Sequence, residues 1–87
     1  TIMENRAWTT DALESLGFTV LPSASNFVFA KSDRMSGEAL YLRLKERGIL
    51  VRHFKKARIS DYVRVTIGTI EQMQTFVNTT RAILEEV

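Results

Sequence analysis

Two arginines lie inside apolar runs, where a charge demands an explanation. In Gly48-Ile49-Leu50-Val51-Arg52-His53-Phe54, Arg52 follows three aliphatic residues. In Tyr62-Val63-Arg64-Val65-Thr66-Ile67-Gly68-Thr69, Val63, Val65 and Ile67 alternate with Tyr62, Arg64 and Thr66. That alternation is the period of a strand with two different faces. A guanidinium in the middle of such a strand needs an anion or a solvated cleft, because burying an unpaired charge is expensive. Its planar fork of donors suits a carboxylate or a phosphate held by two parallel hydrogen bonds. The alternative is an ion pair within the chain, with Asp61, Glu46 or another acid as the partner.

Other chemistry is thinly represented. His53 is the single histidine and there is no cysteine, so a metal site would need several carboxylates, and none cluster in sequence near His53. No nucleophile pairs with His53 for covalent catalysis; it reads as a strand-end residue with a local hydrogen bond. The run Arg52-His53-Phe54-Lys55-Lys56-Ala57-Arg58 interleaves basic and aromatic residues, but without a glycine-rich clamp or stacking pair it reads as a solvated loop rather than a nucleic-acid site. Asn26 opens a strand between a turn and two phenylalanines; it either caps backbone groups or faces a ligand, with capping the simpler role. Asn78-Thr79-Thr80 matches a glycosylation acceptor, but falls inside a helical pattern and reads as chance.

The elements that position the arginines are set by periodicity. Residues 2–16 read as a helix with Trp8, Ala12, Leu13 and Leu16 on its apolar stripe, ended by Gly17, although residues 1–6 show no clear cap. Residues 18–21 alternate and stop at Pro22, which cannot donate to a sheet ladder. A turn over residues 22–25 leads to a strand over residues 26–31 with Phe27 and Phe29 on one face. Ser36 is the N-cap of a helix that runs to Arg47, carries Leu40, Tyr41 and Leu44, and ends at Gly48. Strands over residues 49–54 and 62–67 flank a basic loop. Thr69 and Gln72 have the spacing of a capping box, and Ile70, Met73, Phe76, Val77, Thr80, Leu84 and Val87 keep one face of the last helix. Trp8, Phe18, Phe27, Phe29 and Phe76 are assigned to the core. Paired strands separated by helices predict an α+β fold: an antiparallel or mixed sheet with helices on one face, the other face lying against something else, such as another domain.

Composition sets the outer bounds. The chain has 87 residues, a net charge of +2, 45% hydrophobic and 25% charged residues. One domain over residues 1–87 is expected. The charge is too small to argue for nucleic acid, the lack of cysteine suits a cytoplasmic protein, and no apolar run approaches the roughly 20 residues of a membrane span. The chain begins without methionine and looks cut from a longer protein.

Three stretches resemble histidinol-phosphate aminotransferases. Phe18-Thr19-Val20-Leu21-Pro22-Ser23-Ala24-Ser25-Asn26-Phe27-Val28 is similar to their V-x-P-S-x-A-N-F stretch. Leu44-Lys45-Glu46-Arg47-Gly48-Ile49-Leu50-Val51-Arg52 resembles L-x-x-x-G-I-L-V-R. Val63-Arg64-Val65-Thr66-Ile67-Gly68-Thr69 resembles L-R-I-T-V-G-T, and Glu71 and Gln72 fit the acidic and amide residues of that family just after it. The resemblance covers essentially the whole chain and implies the C-terminal small domain of a class II, fold type I pyridoxal-phosphate aminotransferase. It implies amino transfer between glutamate and imidazole-acetol phosphate, in histidine biosynthesis. Arg64 would bind the substrate carboxylate, Arg52 would help hold its anionic end, and Asn26 is a candidate active-site neighbour. The expected parent is a cytoplasmic homodimer without nucleic-acid or membrane partners. No catalytic residue is expected within these 87 residues. The lysine that holds the cofactor, the aspartate at the pyridine nitrogen and the phosphate-binding residues belong to the family's large domain, and none of Lys31, Lys45, Lys55 and Lys56 is assigned that role. The fragment by itself is expected to bind no pyridoxal phosphate and to be inactive. The one departure from the family pattern is the segment 53–61, which is unusually basic. The other expectation, from the residues alone, is a freestanding α+β module that binds a small anion or a protein partner.

Overall fold

The computed structural model describes residues 1–22, 26–56 and 61–87. Among these the chain forms three helices and four strands, in the order α1 (Ile2–Ser15), β1 (Phe18–Pro22), β2 (Phe27–Ser32), α2 (Gly37–Glu46), β3 (Arg52–His53), β4 (Val63–Thr66) and α3 (Ile70–Glu85). The expected turn after Pro22 and most of the basic loop, at residues 23–25 and 57–60, lie outside the described residues. The strands form one antiparallel sheet in the order β1-β2-β4-β3. Helix α1 packs on β1 and β2, α2 packs on β3 and β4, and α3 packs against both helices.

The alternation of the strands decides what each face carries. Val28, Ala30, Val63 and Val65 point to the helices and are buried, together with Leu13, Leu40, Leu44, Phe76, Ile83 and Leu84. Fully burying an aliphatic side chain of this kind contributes about 1.5–3 kcal/mol. Phe27 and Phe29 are half-buried on the opposite, open face, which corrects their assignment to the core. Strand β2 is apolar on both faces, so alternation alone could not tell which set faced the helices. The small Val28 and Ala30 are the set that fits under them. Trp8 is also corrected: it is 37% exposed, while Thr9 and Leu13, one residue further on and four apart, are fully buried. The stripe that meets the sheet is rotated past the indole. Val87 is exposed, and Ile83 takes the buried position near the end of α3.

Helix ends account for the other differences. Thr1 caps α1 with its side chain on the Glu4 N–H, and Glu4 reaches back to Thr1, so a capping box is present where none was expected. Ser36 accepts from the Ala39 N–H at the start of α2, as expected. At its end, the Gly48 N–H donates to the Lys45 carbonyl at 3.1 Å and the Ile49 N–H to the Leu44 carbonyl at 2.9 Å. This is the double bond pattern of a left-handed cap, and Gly48 has φ +82°. With Ile49 bonded back to the helix, the next strand begins only at Arg52, and it ends at His53 rather than filling the expected residues 49–54. Both halves of the Thr69–Gln72 capping box form at the start of α3, at 2.9 and 3.1 Å.

Candidate functional site

The register of the sheet brings the two arginines together. Arg52 stands directly opposite Arg64 in the β3–β4 pair. Phe29 is opposite Arg64 on the other side, and Leu21 is opposite Phe29, so Leu21, Phe29, Arg64 and Arg52 form one row across the open face. Residues opposed in this way have Cβ atoms about 4.5–5.5 Å apart, and like charges so placed are destabilising.

Neither arginine is neutralised within the described residues. The ion pairs there join the Thr1 amino group to Glu4, and Arg43 and Arg47 to Glu86. The alternative pairing with Asp61 or Glu46 is not formed. Arg52 is exposed, whereas Arg64 is half-buried and its Nε is enclosed with no hydrogen-bond acceptor. A buried donor without an acceptor carries a desolvation penalty of about 1–3 kcal/mol. The arrangement is two opposed guanidinium groups, one of them partly desolvated, and it offers the parallel N–H donors that a carboxylate or phosphate accepts.

The aromatic surroundings of Arg64 were not legible from composition. Its Cζ lies 4.7 Å from the Phe27 ring centroid and 5.7 Å from that of Phe54. Phe27 belongs to β2 and Phe54 follows β3, the two strands that flank β4. Phe27 meets Phe29 edge to face, with centroids 6.1 Å apart. The available sequence signal was parity: residues 27, 29, 52, 54 and 64 fall on one face once the register is known.

The other predicted residues have simpler surroundings. Asn26 is exposed at the start of β2, and its backbone carbonyl accepts the Ile67 N–H at 2.6 Å, extending the β2–β4 pairing past Thr66. His53 is opposite Val63, with its ring stacked on Tyr41 at 6.1 Å. Lys31 lies over the Tyr62 ring and Lys45 over Tyr41, while Lys55 and Lys56 are exposed. Asn5 Nδ2 donates to the Gly68 carbonyl at 3.0 Å, which ties α1 to the segment that leaves β4 and steadies the strand that carries Arg64. Among the described residues, no three of His, Asp and Glu converge in a way that would hold a metal, and no helix is long and apolar enough to cross a membrane.

Comparison with known proteins agrees with this architecture. Residues 1–79 match the family model for aminotransferase class I and II. The chain is 49% identical over 83 residues to histidinol-phosphate aminotransferase 2 of Thiobacillus denitrificans, covering 94% of this chain and 23% of that protein. Its fold is that of part of the histidinol-phosphate aminotransferase from Clostridium acetobutylicum, with a TM-score of 0.88 at 23% identity over 99% of this chain and 27% of that one. The enzyme from Sinorhizobium meliloti, solved in complex with pyridoxal-5'-phosphate, gives a TM-score of 0.86 at 23% identity over 98% of this chain and 24% of that one. The chain thus spans about a quarter of the length of the relatives it matches. With a family model matched over most of its length and a fold shared with these enzymes, this chain belongs to the aminotransferase class I and II family.

Proposed function

We propose that residues 1–87 are the C-terminal small domain of a longer pyridoxal-phosphate-dependent histidinol-phosphate aminotransferase. In this reading they supply the arginines that anchor the substrate. The observation that carries it is the opposed, acid-free pair Arg52 and Arg64 on the open face of the sheet. The names of the relatives support the substrate, and the share of their length that the chain spans supports a larger partner domain. Arg64, partly desolvated and fork-shaped, holds the planar carboxylate; Arg52, exposed and opposite, takes the more distant phosphate. In the same reading Asn26, at the start of β2, is the candidate neighbour of the bound substrate.

The described residues do not by themselves fit pyridoxal phosphate. Lys45, Lys55 and Lys56 are exposed and Lys31 lies over the Tyr62 ring, and in this reading the chain contributes substrate-binding groups while the larger domain holds the cofactor. The cofactor, when held by the larger domain, supplies the electron sink for amino transfer. The chain's own part is to bind and orient the substrate's anions. The open sheet face would then lie at the boundary with that domain, in a cytoplasmic enzyme that acts as a homodimer. The test is to express the full reading frame and assay amino transfer between glutamate and imidazole-acetol phosphate. Activity lost on Arg64→Lys supports the reading. A reading frame whose start codon lies just before Thr1, with no amino transfer, replaces it with a freestanding anion-binding module.

A further inference from the structure

We propose that Phe27 and Phe54 are positioning residues for Arg64: two rings, one from each flanking strand segment, hold its guanidinium ready for a planar carboxylate before any ligand arrives. This rests on the reading of Arg64 as the carboxylate anchor.

An arginine side chain has several soft torsions, and freezing it on ligand binding weakens that binding. Arg64 has no acid to hold it, and its Nε has no hydrogen-bond acceptor. What remains to fix it is the aromatic surface. Both ring centroids lie within the roughly 6 Å at which a ring quadrupole attracts a cation, at 4.7 Å for Phe27 and 5.7 Å for Phe54. Phe27 is itself braced edge to face by Phe29, the residue directly opposite Arg64. The rings attract the cation without neutralising it, so its full charge is kept for the ligand. They also displace water, which strengthens the later charge-assisted bonds. An acid in the same place would hold the arginine equally well but would compete with the substrate.

Phe54 makes the inference specific. It lies just past the two-residue strand β3, outside the sheet ladder and half-buried on the face away from the helices. Core packing gives no reason for a phenylalanine at that position; its contact with Arg64 does.

The test uses the full-length protein with labelled arginine side chains. Ring currents from flanking aromatic faces should move the Arg64 Nε–H resonance away from that of a solvated arginine. Phe27→Leu with Phe54→Leu should return it. In kinetics the double variant should raise KM for glutamate about threefold to thirtyfold, the range expected for cation–π contacts from exposed to desolvated. The fall in kcat should be smaller, and Phe27→Tyr with Phe54→Tyr should restore KM. The single variant Phe54→Leu, remote from the core, should shift in the same direction with an unchanged melting temperature. An unshifted Arg64 resonance overturns the clamp. So does an unchanged KM in the leucine variants while Arg64→Lys raises it, and that result leaves the anchoring role of Arg64 standing. If Arg64→Lys itself leaves KM unchanged, the anchor reading fails and the clamp fails with it.

Discussion

Arg52 and Arg64 face each other directly across the β3–β4 pair, and no acid among the described residues forms an ion pair with either. Two like charges in opposed positions lower the stability of the ligand-free sheet. In the proposed role, an anion bound between them would offset that penalty, so the contact that weakens the empty fold would strengthen ligand binding.

Arg64→Lys in the full-length enzyme is expected to lower kcat/KM by about tenfold to a hundredfold. Lysine keeps the charge but loses the planar fork. A hydrogen bond to a charged group contributes about 1.5–3 kcal/mol, and each 1.4 kcal/mol is a factor of about ten. The melting temperature should change little, because Arg64 has no protein acid to lose. Both half-reactions and a thermal melt on the same variant check this; near-normal kinetics with a lowered melting temperature would contradict it.

Arg52 should separate binding from stability. Arg52→Ala is expected to stabilise the ligand-free protein by about 0.2–1 kcal/mol, the scale of a cross-strand pair, and to weaken substrate binding. Arg52→Lys keeps the charge, so it should weaken the phosphorylated substrate more than glutamate without that gain in stability. Denaturant melts with and without inorganic phosphate measure the first effect, and KM for the two substrates measures the second. A ligand-free Arg52→Ala protein less stable than the parent would show that the opposed pair carries no repulsion.

The end of α2 is expected to be sensitive in two distinct ways. Leu44 is fully buried, and Leu44→Ala should cost about 2–5 kcal/mol through lost transfer energy and the cavity left behind. Gly48 has φ +82°, and a Cβ there would meet no atom within 4 Å. Gly48→Ala should therefore cost only the backbone strain of a left-handed residue, about 1–2 kcal/mol. Urea melts of the two variants should keep this order; a Gly48→Ala cost as large as that of Leu44→Ala would mean that the cap makes contacts beyond its backbone bonds.

The 87-residue chain on its own is expected to self-associate. Ile2, Met3, Trp8 and Leu21 are exposed, and Leu21 lies in the same open-face row as Phe29. Exposed apolar surface of this kind favours association. Sedimentation velocity over a concentration series should show a rising mean mass, reduced by Leu21→Lys. A strictly monomeric species at high concentration would count against a covering domain in the parent.

The elements themselves were legible because their signals are local. Gly17 and Gly48 after the last helical residues, Ser36 as a cap, and the Thr69–Gln72 box each act over a few residues of chain, and each is where the pattern placed it. The alternation around Arg64 likewise put it mid-strand on the face away from Val63 and Val65. Which charges and rings meet is a different kind of fact. The opposition of Arg52 to Arg64 depends on a register between strands joined by a basic loop, and a shift of one residue would have turned every side chain of β3 to the other face. Phe27 lies on a strand with two apolar faces, so only the helices that cover Val28 and Ala30 decide that it is left beside Arg64. Phe54 lies just past the end of the two-residue strand β3, outside the ladder. Local chemistry determined the helices, their caps and the strand that carries an arginine among valines; the pairing of β4 between β2 and β3, a contact between distant segments, decided what surrounds it.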